Sequence, residues 1–430
     1  MEIKVVFGAN YGDEGKGLMT DYFSHKAVSE GKKVLNVLHN GGAQRAHTVE
    51  TPEGLRHVFR HLGSGTFAGA DTFITGEFMV NPIMLRNELE EMASLGYKPR
   101  VYIDDMCRIT TPFDMMANQI IEDGREERLG TCGMGIWETC VRNKRIRLTI
   151  QDLFLMLQNK EDFTDLLRRT LERIQLYYIK NRIPNNGAYQ EWESTFTDTK
   201  IVNNSIEDIH WMLLNRQIEY LPSLFYDAPQ TSFLPHKNYQ AVVFENGQGL
   251  LLDGKLTEDV EHNTPSHTDM FGVNRIMEKW LNTGTITDAD TIEYCAVTRT
   301  YLTRHGLGLF PTDELDSADL EESIRIFDKT NAPNQWQGAL RYARFSLEDA
   351  RDIRVRVNEA WDRCYYRPVT RTSFSCAYTH ADEVDIPYEF RSEDICIHPE
   401  SLFARAKAKR YISTGPTRKT IEERAWDRHF

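Results

Sequence analysis

Residues 5–23, VVFGANYGDEGKGLMTDYF, constrain the fold more than any other stretch of the 430-residue chain. Val5 to Phe7 read as the end of a buried strand and Gly8 opens a turn. Glycines at 12, 15 and 17 then let backbone N–H groups converge on an anion, ahead of a helix from about Leu18. A strand, a glycine-rich loop and a helix in that order belong to an α/β fold whose ligands meet the carboxyl ends of parallel strands. The loop is not a Walker A sequence. With Gly15-Lys16 as its G-K, Asn10 stands where the first glycine belongs and Gly17 where the hydroxyl belongs. Asp13 and Glu14 occupy its middle. A carboxylate there repels bare phosphate, so Asp13 suits a holder of Mg²⁺ or a base taking a proton from a neighbouring substrate. Lys16 supplies a cation. The same composition also suits a solvated turn, and the loop alone does not choose.

Short β-rich runs recur at 3–8, 33–39, 71–76, 100–104, 240–247, 292–301 and 408–415, mostly bounded by Gly or Asn, as in buried strands of a largely parallel sheet. Helical patterns lie between them. In NPIMLRNELEEMASLG, Asn81 caps, Pro82 enters the first turn, Leu85, Leu89 and Met92 share a face, and Gly96 ends the helix. The expectation is one α/β domain over 1–430, a large mostly parallel sheet flanked by helices, with a more helical, Arg-rich insertion at about 105–235. No repeat or low-complexity linker interrupts it. Charged residues make up 27% and the net charge is −13, which argues against broad adhesion to nucleic acid. No apolar run is long enough for a membrane span. Seven scattered cysteines without C-x-x-C spacing, and a start that runs straight into a strand, point to reduced thiols and a cytoplasmic location.

A second cluster, LHNGGAQRAHTVE (38–50), follows the second strand and brings Gln44, His47 and Thr48 to another carboxyl end. Here the chain resembles the adenylosuccinate synthetase family. That family's W-G-D-E-G-K-G-K corresponds to YGDEGKGL, and its G-G-x-N-A-G-H-T to GGAQRAHT. Four later blocks follow in order: VVFENGQGLLLD (242–253), HNTPSHT (262–268), TRTYLTRHGLGLFPTDE (298–314) and YISTGPTR (411–418). The resemblance implies a GTP- and Mg²⁺-dependent ligase. It phosphorylates O6 of inosine monophosphate, and the amine of L-aspartate then displaces the phosphate. Asp13 is then the base at N1, His47 the acid that helps the γ-phosphoryl group leave, Lys16 a charge stabiliser, and Gln248 the support of the purine ring. Asp13 and Ala46 are the implied metal positions. Gly12, Glu14, Gly15, Lys16, Gly17, His47, Thr48, Ser413, Gly415 and Pro416 are the implied GTP contacts, with Thr379 and Asp382 of AYTHAD reading guanine. A homodimer is implied.

Several positions depart from the family pattern. G-T-T-G-R-G-I-G-P is here GTCGMGIWE (130–138), leaving Thr131 and Cys132 as substrate contacts and Met134 for the arginine. Arg142 lies near the arginine that relatives send across the dimer. Gln44 replaces Asn, and Thr264 holds the place of a phosphate-binding Thr. The aspartate loop T-T-G-R-x-R is WQGALRYAR (336–344), so Arg341 with Arg344 and Arg304 must bind the amine substrate, or the amine is not aspartate, and Thr303 is a further implied substrate contact. Two alternatives stand beside the leading one: a ligase using a 2-aminopurine nucleotide such as dGMP or another amine, and a non-catalytic nucleotide-binding paralogue. Asp13 opposes the 2-aminopurine, because viral relatives of that specificity change this position.

Overall fold

The computed structural model describes residues 1–159, 162–184, 198–214, 218–221, 239–254, 262–287, 289–310, 331, 336–343, 355–356, 359, 371–383, 390–392, 395–397 and 409–424. Its main sheet has ten strands. Their order is β18 (Ile421–Arg424), β17 (Lys409–Ser413), β14 (Arg371–Thr379), β11 (Thr291–Arg299), β1 (Glu2–Gly8), β10 (Ala241–Gly249), β2 (Val34–Leu38), β5 (Asp71–Ile74), β7 (Val101–Asp104) and β9 (Ile218–Leu221). Only β18 runs antiparallel to its neighbour. The carboxyl ends of the other nine therefore share one edge, and β1 sits between β10 and β11 with its glycine-rich loop at the middle of that edge.

The pleat of β1 explains how the sheet is covered. Ile3, Val5 and Phe7 join a buried cluster with Met277 and Trp280 of the helix at Phe271–Asn282, whereas Val6 faces Met19, Phe23 and Ala27 of α1 (Lys16–Ser29). A third cluster joins the β5–β7 end to helices at 112–123, 150–158, 163–181 and 199–214. Asn81 caps α2 (Pro82–Ser94), accepting from the Met84 N–H at 3.2 Å.

All seven expected runs are strands of this sheet. The strand β14, RTSFSCAYT, is not legible as a buried strand in sequence, because its alternating serines look like a solvated face. It lies inside the sheet, parallel to β11 and β17 on either side.

Candidate active site

The loop after β1 turns on two left-handed glycines, Gly12 (φ 102°) and Gly15 (φ 90°), with Asp13 between them at φ 60°. Asp tolerates that region better than most residues, and the turn sends neighbouring side chains in opposite directions. Glu14 goes inward. Its carboxylate accepts from the N–H groups of Asn10 (3.1 Å) and Gly12 (2.9 Å) and pairs with the Lys16 ammonium, both side chains being almost fully buried. A Cβ on Gly8 would stand 2.3 Å from that carboxylate, which accounts for the glycine. The glutamate is a fold-forming residue of the loop, and its side chain does not present itself to a nucleotide. Asp13 stays 22% exposed. Its carbonyl accepts from Arg299 Nε, and its Oδ2 lies 3.4 Å from Nε2 of His305.

Gly17 stands in for a hydroxyl because α1 begins against β3 (His47–Glu50): a Cβ there would be 3.0 Å from His47 Cβ and 3.1 Å from the Thr48 carbonyl. This contact brings His47 to the start of α1. Its Nδ1 is 2.6 Å from Glu245 Oε1, and Glu245 also takes the Arg45 guanidinium at 2.6 Å, the Ser64 hydroxyl and the Ser64 N–H (3.0 Å). Burial and then the Arg45 cation pull the His47 pKa down to about 4. Burial opposes ionisation of Glu245, but Arg45, His47 and Ser64 hold its pKa down at about 2. The imidazole is therefore neutral in the resting protein. Neither Glu245 nor Arg45 is legible as a site residue in the sequence, although Glu245 lies in the 242–253 block and Arg45 replaces the Ala of the 41–48 block.

Other loops close on the same edge. Gly249 at the end of β10 abuts the Asn10 carbonyl, which sets half-buried Gln248 beside the loop, and Gln44 is half-buried with its amide atoms buried and neither one bonded. Thr303, on β12 (Leu302–Arg304), donates to the Gly12 carbonyl at 3.3 Å. Arg304 is the cross-strand partner of Arg341 on β13 (Arg341–Ala343). Their guanidiniums stack over Tyr11 (4.9 Å) and Phe310 (5.0 Å), rings that meet edge to face. Gly130 touches Gly306, and Trp336 lies against Gly133, so the 130–138 loop joins this group. Thr131 Oγ1 is 3.4 Å from Asn118, burial raises the Cys132 pKa, and Thr264 Oγ1 accepts from the Ser266 N–H at 3.2 Å. Ala46 and Thr48 are half-buried in the 38–50 segment. Arg344 lies outside the described residues.

At the other end of the edge, Thr379 donates to the Glu14 carbonyl at 2.7 Å and is buried against Gly15. That hydroxyl ties β14 to the loop and does not read a base. Asp382 is exposed after β14, next to the 413–416 turn through Ala381 N–H to Ser413 O (3.0 Å). Ser413 donates to the Gly415 carbonyl at 2.8 Å, and Pro416 is exposed.

Arg142 requires a correction. All five of its N–H groups are spent within its own chain: Nε and Nη2 on Asp114 (3.0 and 2.9 Å), Nη2 on the Ile109 carbonyl, Nη1 on Asn143 and the Ile146 carbonyl. A fully buried guanidinium with no donor left does not reach a nucleotide across a dimer. It fastens the helix at Ile136–Asn143 to that at Pro112–Asp123.

A parallel α/β sheet with a glycine-rich loop, a carboxylate at its tip and a braced histidine defines a nucleotide-handling protein. The adenylosuccinate synthetase family model matches residues 5–331, and the chain belongs to that family. Over 333 residues it is 28% identical to adenylosuccinate synthetase of Lactobacillus acidophilus, covering 74% of this chain and 66% of that one. Over 324 residues it is 29% identical to that of Caldanaerobacter subterraneus, covering 74% and 67%. The chain thus matches about two thirds of the length of these curated relatives. Two solved structures share the fold. Fully ligated adenylosuccinate synthetase of Plasmodium falciparum has a TM-score of 0.61 at 16% identity, covering 98% of this chain and 99% of that one. Succinoaminodeoxyadenylate synthetase of cyanophage S-2L, bound to dGMP and dATP as an energy donor, has a TM-score of 0.56 at 15% identity, covering 98% and 95%.

Proposed function

We propose that this protein is a GTP-dependent C–N ligase that phosphorylates O6 of a 6-oxopurine nucleoside monophosphate and replaces the phosphate with an amine. IMP and L-aspartate are the favoured pair, giving adenylosuccinate, GDP and phosphate. The observation that carries this reading is the pairing of an outward carboxylate with a braced imidazole around one phosphate loop. Asp13 stands at the loop tip and His47 lies against the start of α1. A structural loop needs neither group.

In this scheme Asp13 takes the N1 proton, charge shifts to O6, and O6 attacks the γ-phosphorus of GTP. The Lys16 ammonium is paired with Glu14 beneath the loop, so it lends positive charge from behind, and contact with the equatorial oxygens falls to loop amides other than those of Asn10 and Gly12, which Glu14 already takes. His47 is neutral at rest, so its acid role needs the charge of the incoming phosphate to draw a proton onto the ring. Glu245 holds Nδ1 and orients that ring. Asp13 also suits Mg²⁺: it is a hard oxygen donor, partly exposed at the mouth of a phosphate loop, and Mg²⁺ is usually held by one or two carboxylates plus phosphates and waters. Asp13 and Ala46 would hold the ion, which supplies positive charge to the transferring phosphoryl group. Arg341 provides a cation for a dicarboxylate amine; Arg304 is buried and donates to the Leu309 carbonyl and to Asn263, so it lends its charge from behind, and Asp382 offers two acceptors to guanine. A homodimer accords with the family but not with an Arg142 crossing.

A second reading takes a 2-aminopurine nucleotide such as dGMP. The dGMP bound in the cyanophage neighbour and the altered 130–138 and 336–344 loops favour it. Phosphate release with IMP, dIMP, GMP and dGMP, each crossed with GTP and ATP in the presence of aspartate, tests both. The favoured reading expects turnover with IMP and GTP, reduced about 100-fold or more in Asp13→Ala with nucleotide still bound. No turnover with any combination would leave a binding paralogue.

A further inference from the structure

Asp13 has a left-handed backbone (φ 60°), which is unfavourable for a residue with a Cβ, so its placement depends on what holds it. Two grips come from the far end of the binding edge. Arg299, the last residue of β11, donates from Nε to the Asp13 carbonyl, and Thr379, the last of β14, donates to the next carbonyl, that of Glu14, at 2.7 Å. Arg299 is itself held. Its Nη1 donates to the Tyr301 hydroxyl at 2.8 Å, and that hydroxyl donates to Glu383 Oε2. Glu383 Oε1 takes Nδ1 of His380 at 2.9 Å, and the His380 carbonyl accepts from the Thr300 hydroxyl at 3.0 Å. Arg299 and Tyr301 are 4% and 2% exposed, so their bonds lie out of water, where each is stronger. Burial opposes ionisation of Glu383, but His380, Tyr301 and Arg299 hold its pKa below the usual carboxylate value.

His380, Asp382 and Glu383 share one turn, in which Asp382 is the reader of guanine in the function proposed above. Resting on that function, we propose that Tyr301 and Glu383 are positioning residues, which set the Asp13 base according to whether the turn holds the base of the triphosphate. A triphosphate whose base engages the turn fixes His380 and Glu383 and, through Tyr301 and Arg299, the left-handed Asp13. One that brings only its phosphates leaves that grip looser. Neither Tyr301 nor Glu383 has to touch a nucleotide. The choice of triphosphate base is then felt at the monophosphate site, and by linkage the monophosphate tightens the matching triphosphate by the same factor.

The test titrates whichever of IMP and dGMP binds more tightly, in the presence of saturating β,γ-imido analogue of GTP or of ATP. The two analogues bring the same phosphates, so the ratio of the two Kd values isolates the effect of the base. Phosphate release gives kcat and KM separately. In wild type the monophosphate should bind at least about fivefold tighter beside the guanosine analogue. Tyr301→Phe keeps the ring, which lies 6.0 Å from that of Tyr342 and 6.1 Å from that of His380, and removes the hydroxyl that both accepts and donates. This variant and Glu383→Ala should each bring the ratio near one and lower kcat at least about tenfold, with little change in the KM for GTP. Glu383→Gln still accepts from Tyr301 and should keep most of the ratio. A ratio near one in wild type would overturn the proposal. So would a wild-type ratio in either Tyr301→Phe or Glu383→Ala, including one kept while both Kd values weaken in parallel, or a Glu383→Gln that loses the ratio as fully as Glu383→Ala. Should one variant fail to fold, the other decides. A protein that binds these nucleotides without turnover refutes the ligase reading, while the Kd ratios still decide for or against the positioning role. One that binds none of them overturns both.

Discussion

Replacing Glu14 with Ala should destabilise the protein by at least about 3 kcal/mol, even though the residue sits in a loop. The Glu14 and Lys16 side chains are 1% and 2% exposed, so truncation strands a buried ammonium. Breaking a buried pair by removing one partner typically costs about 3–5 kcal/mol. The N–H groups of Asn10 and Gly12 lose their acceptor as well, each worth about 1 kcal/mol or more when left unsatisfied. Water entering the vacated space offsets part of this. Glu14→Gln keeps the shape and one acceptor but not the charge, so its cost should be smaller. Lys16→Met should also destabilise. The double variant Glu14→Gln/Lys16→Met should be more stable than the sum of the two losses predicts, because neither charge is then stranded. Urea unfolding followed by both tryptophan fluorescence and circular dichroism gives the four stabilities. A loss below about 1 kcal/mol in Glu14→Ala, or strictly additive single losses, would refute the inward assignment of this carboxylate.

Three buried histidines should each favour the folded state at higher pH. Burial lowers the pKa of His39 to about 3 and of His61 to about 4, and burial with Arg45 lowers that of His47 to about 4. The unfolded chain binds these protons below about 6.5, so the contribution of the three rings to stability is complete above that pH and falls as pH drops toward 4. Asp21, Asp104 and Glu138 act in the opposite sense, because burial raises their pKa values to about 6, 7 and 7 and folding takes up protons there over the same range; the histidine contribution is therefore read ring by ring in NMR titration, where all three should stay uncharged down to about pH 5, and a ring among them that charges near pH 6.5 in the folded protein would contradict it. Arg142→Met should cost about 3–5 kcal/mol in thermal or urea unfolding while leaving nucleotide Kd unchanged at a temperature where it is folded. A stable variant with weakened nucleotide binding would restore the cross-dimer role. Asp382→Asn should reduce discrimination of GTP from ATP at least about tenfold in competition assays, and unchanged discrimination would remove the residue from base reading.

The local sequence determined the sheet and the order of its loops. Apolar runs such as VVFG and AVVF have no polar face to show to water, so they become central parallel strands wherever the chain places them. Glycines at 12 and 15 are legible for the same local reason, since a left-handed backbone favours them. The identity of the binding edge follows, because parallel strands put their loops together. The sequence could not determine which way neighbouring side chains turn. Asp13 and Glu14 are adjacent and alike, yet one faces outward and the other is buried beneath the loop. That difference depends on Gly8, Lys16 and contacts from β11 and β14. Arg142 looks like a ligand arginine in sequence and proves fully bonded within its own chain, in part to Asp114, 28 residues away. Glu245 became a brace for His47, and His305 a neighbour of Asp13, through contacts spanning 198 and nearly 300 residues. Propensity and spacing act over a few residues. Whether a charged side chain is spent on the fold or left for a ligand is settled by partners that only the closed tertiary structure brings within about 3 Å.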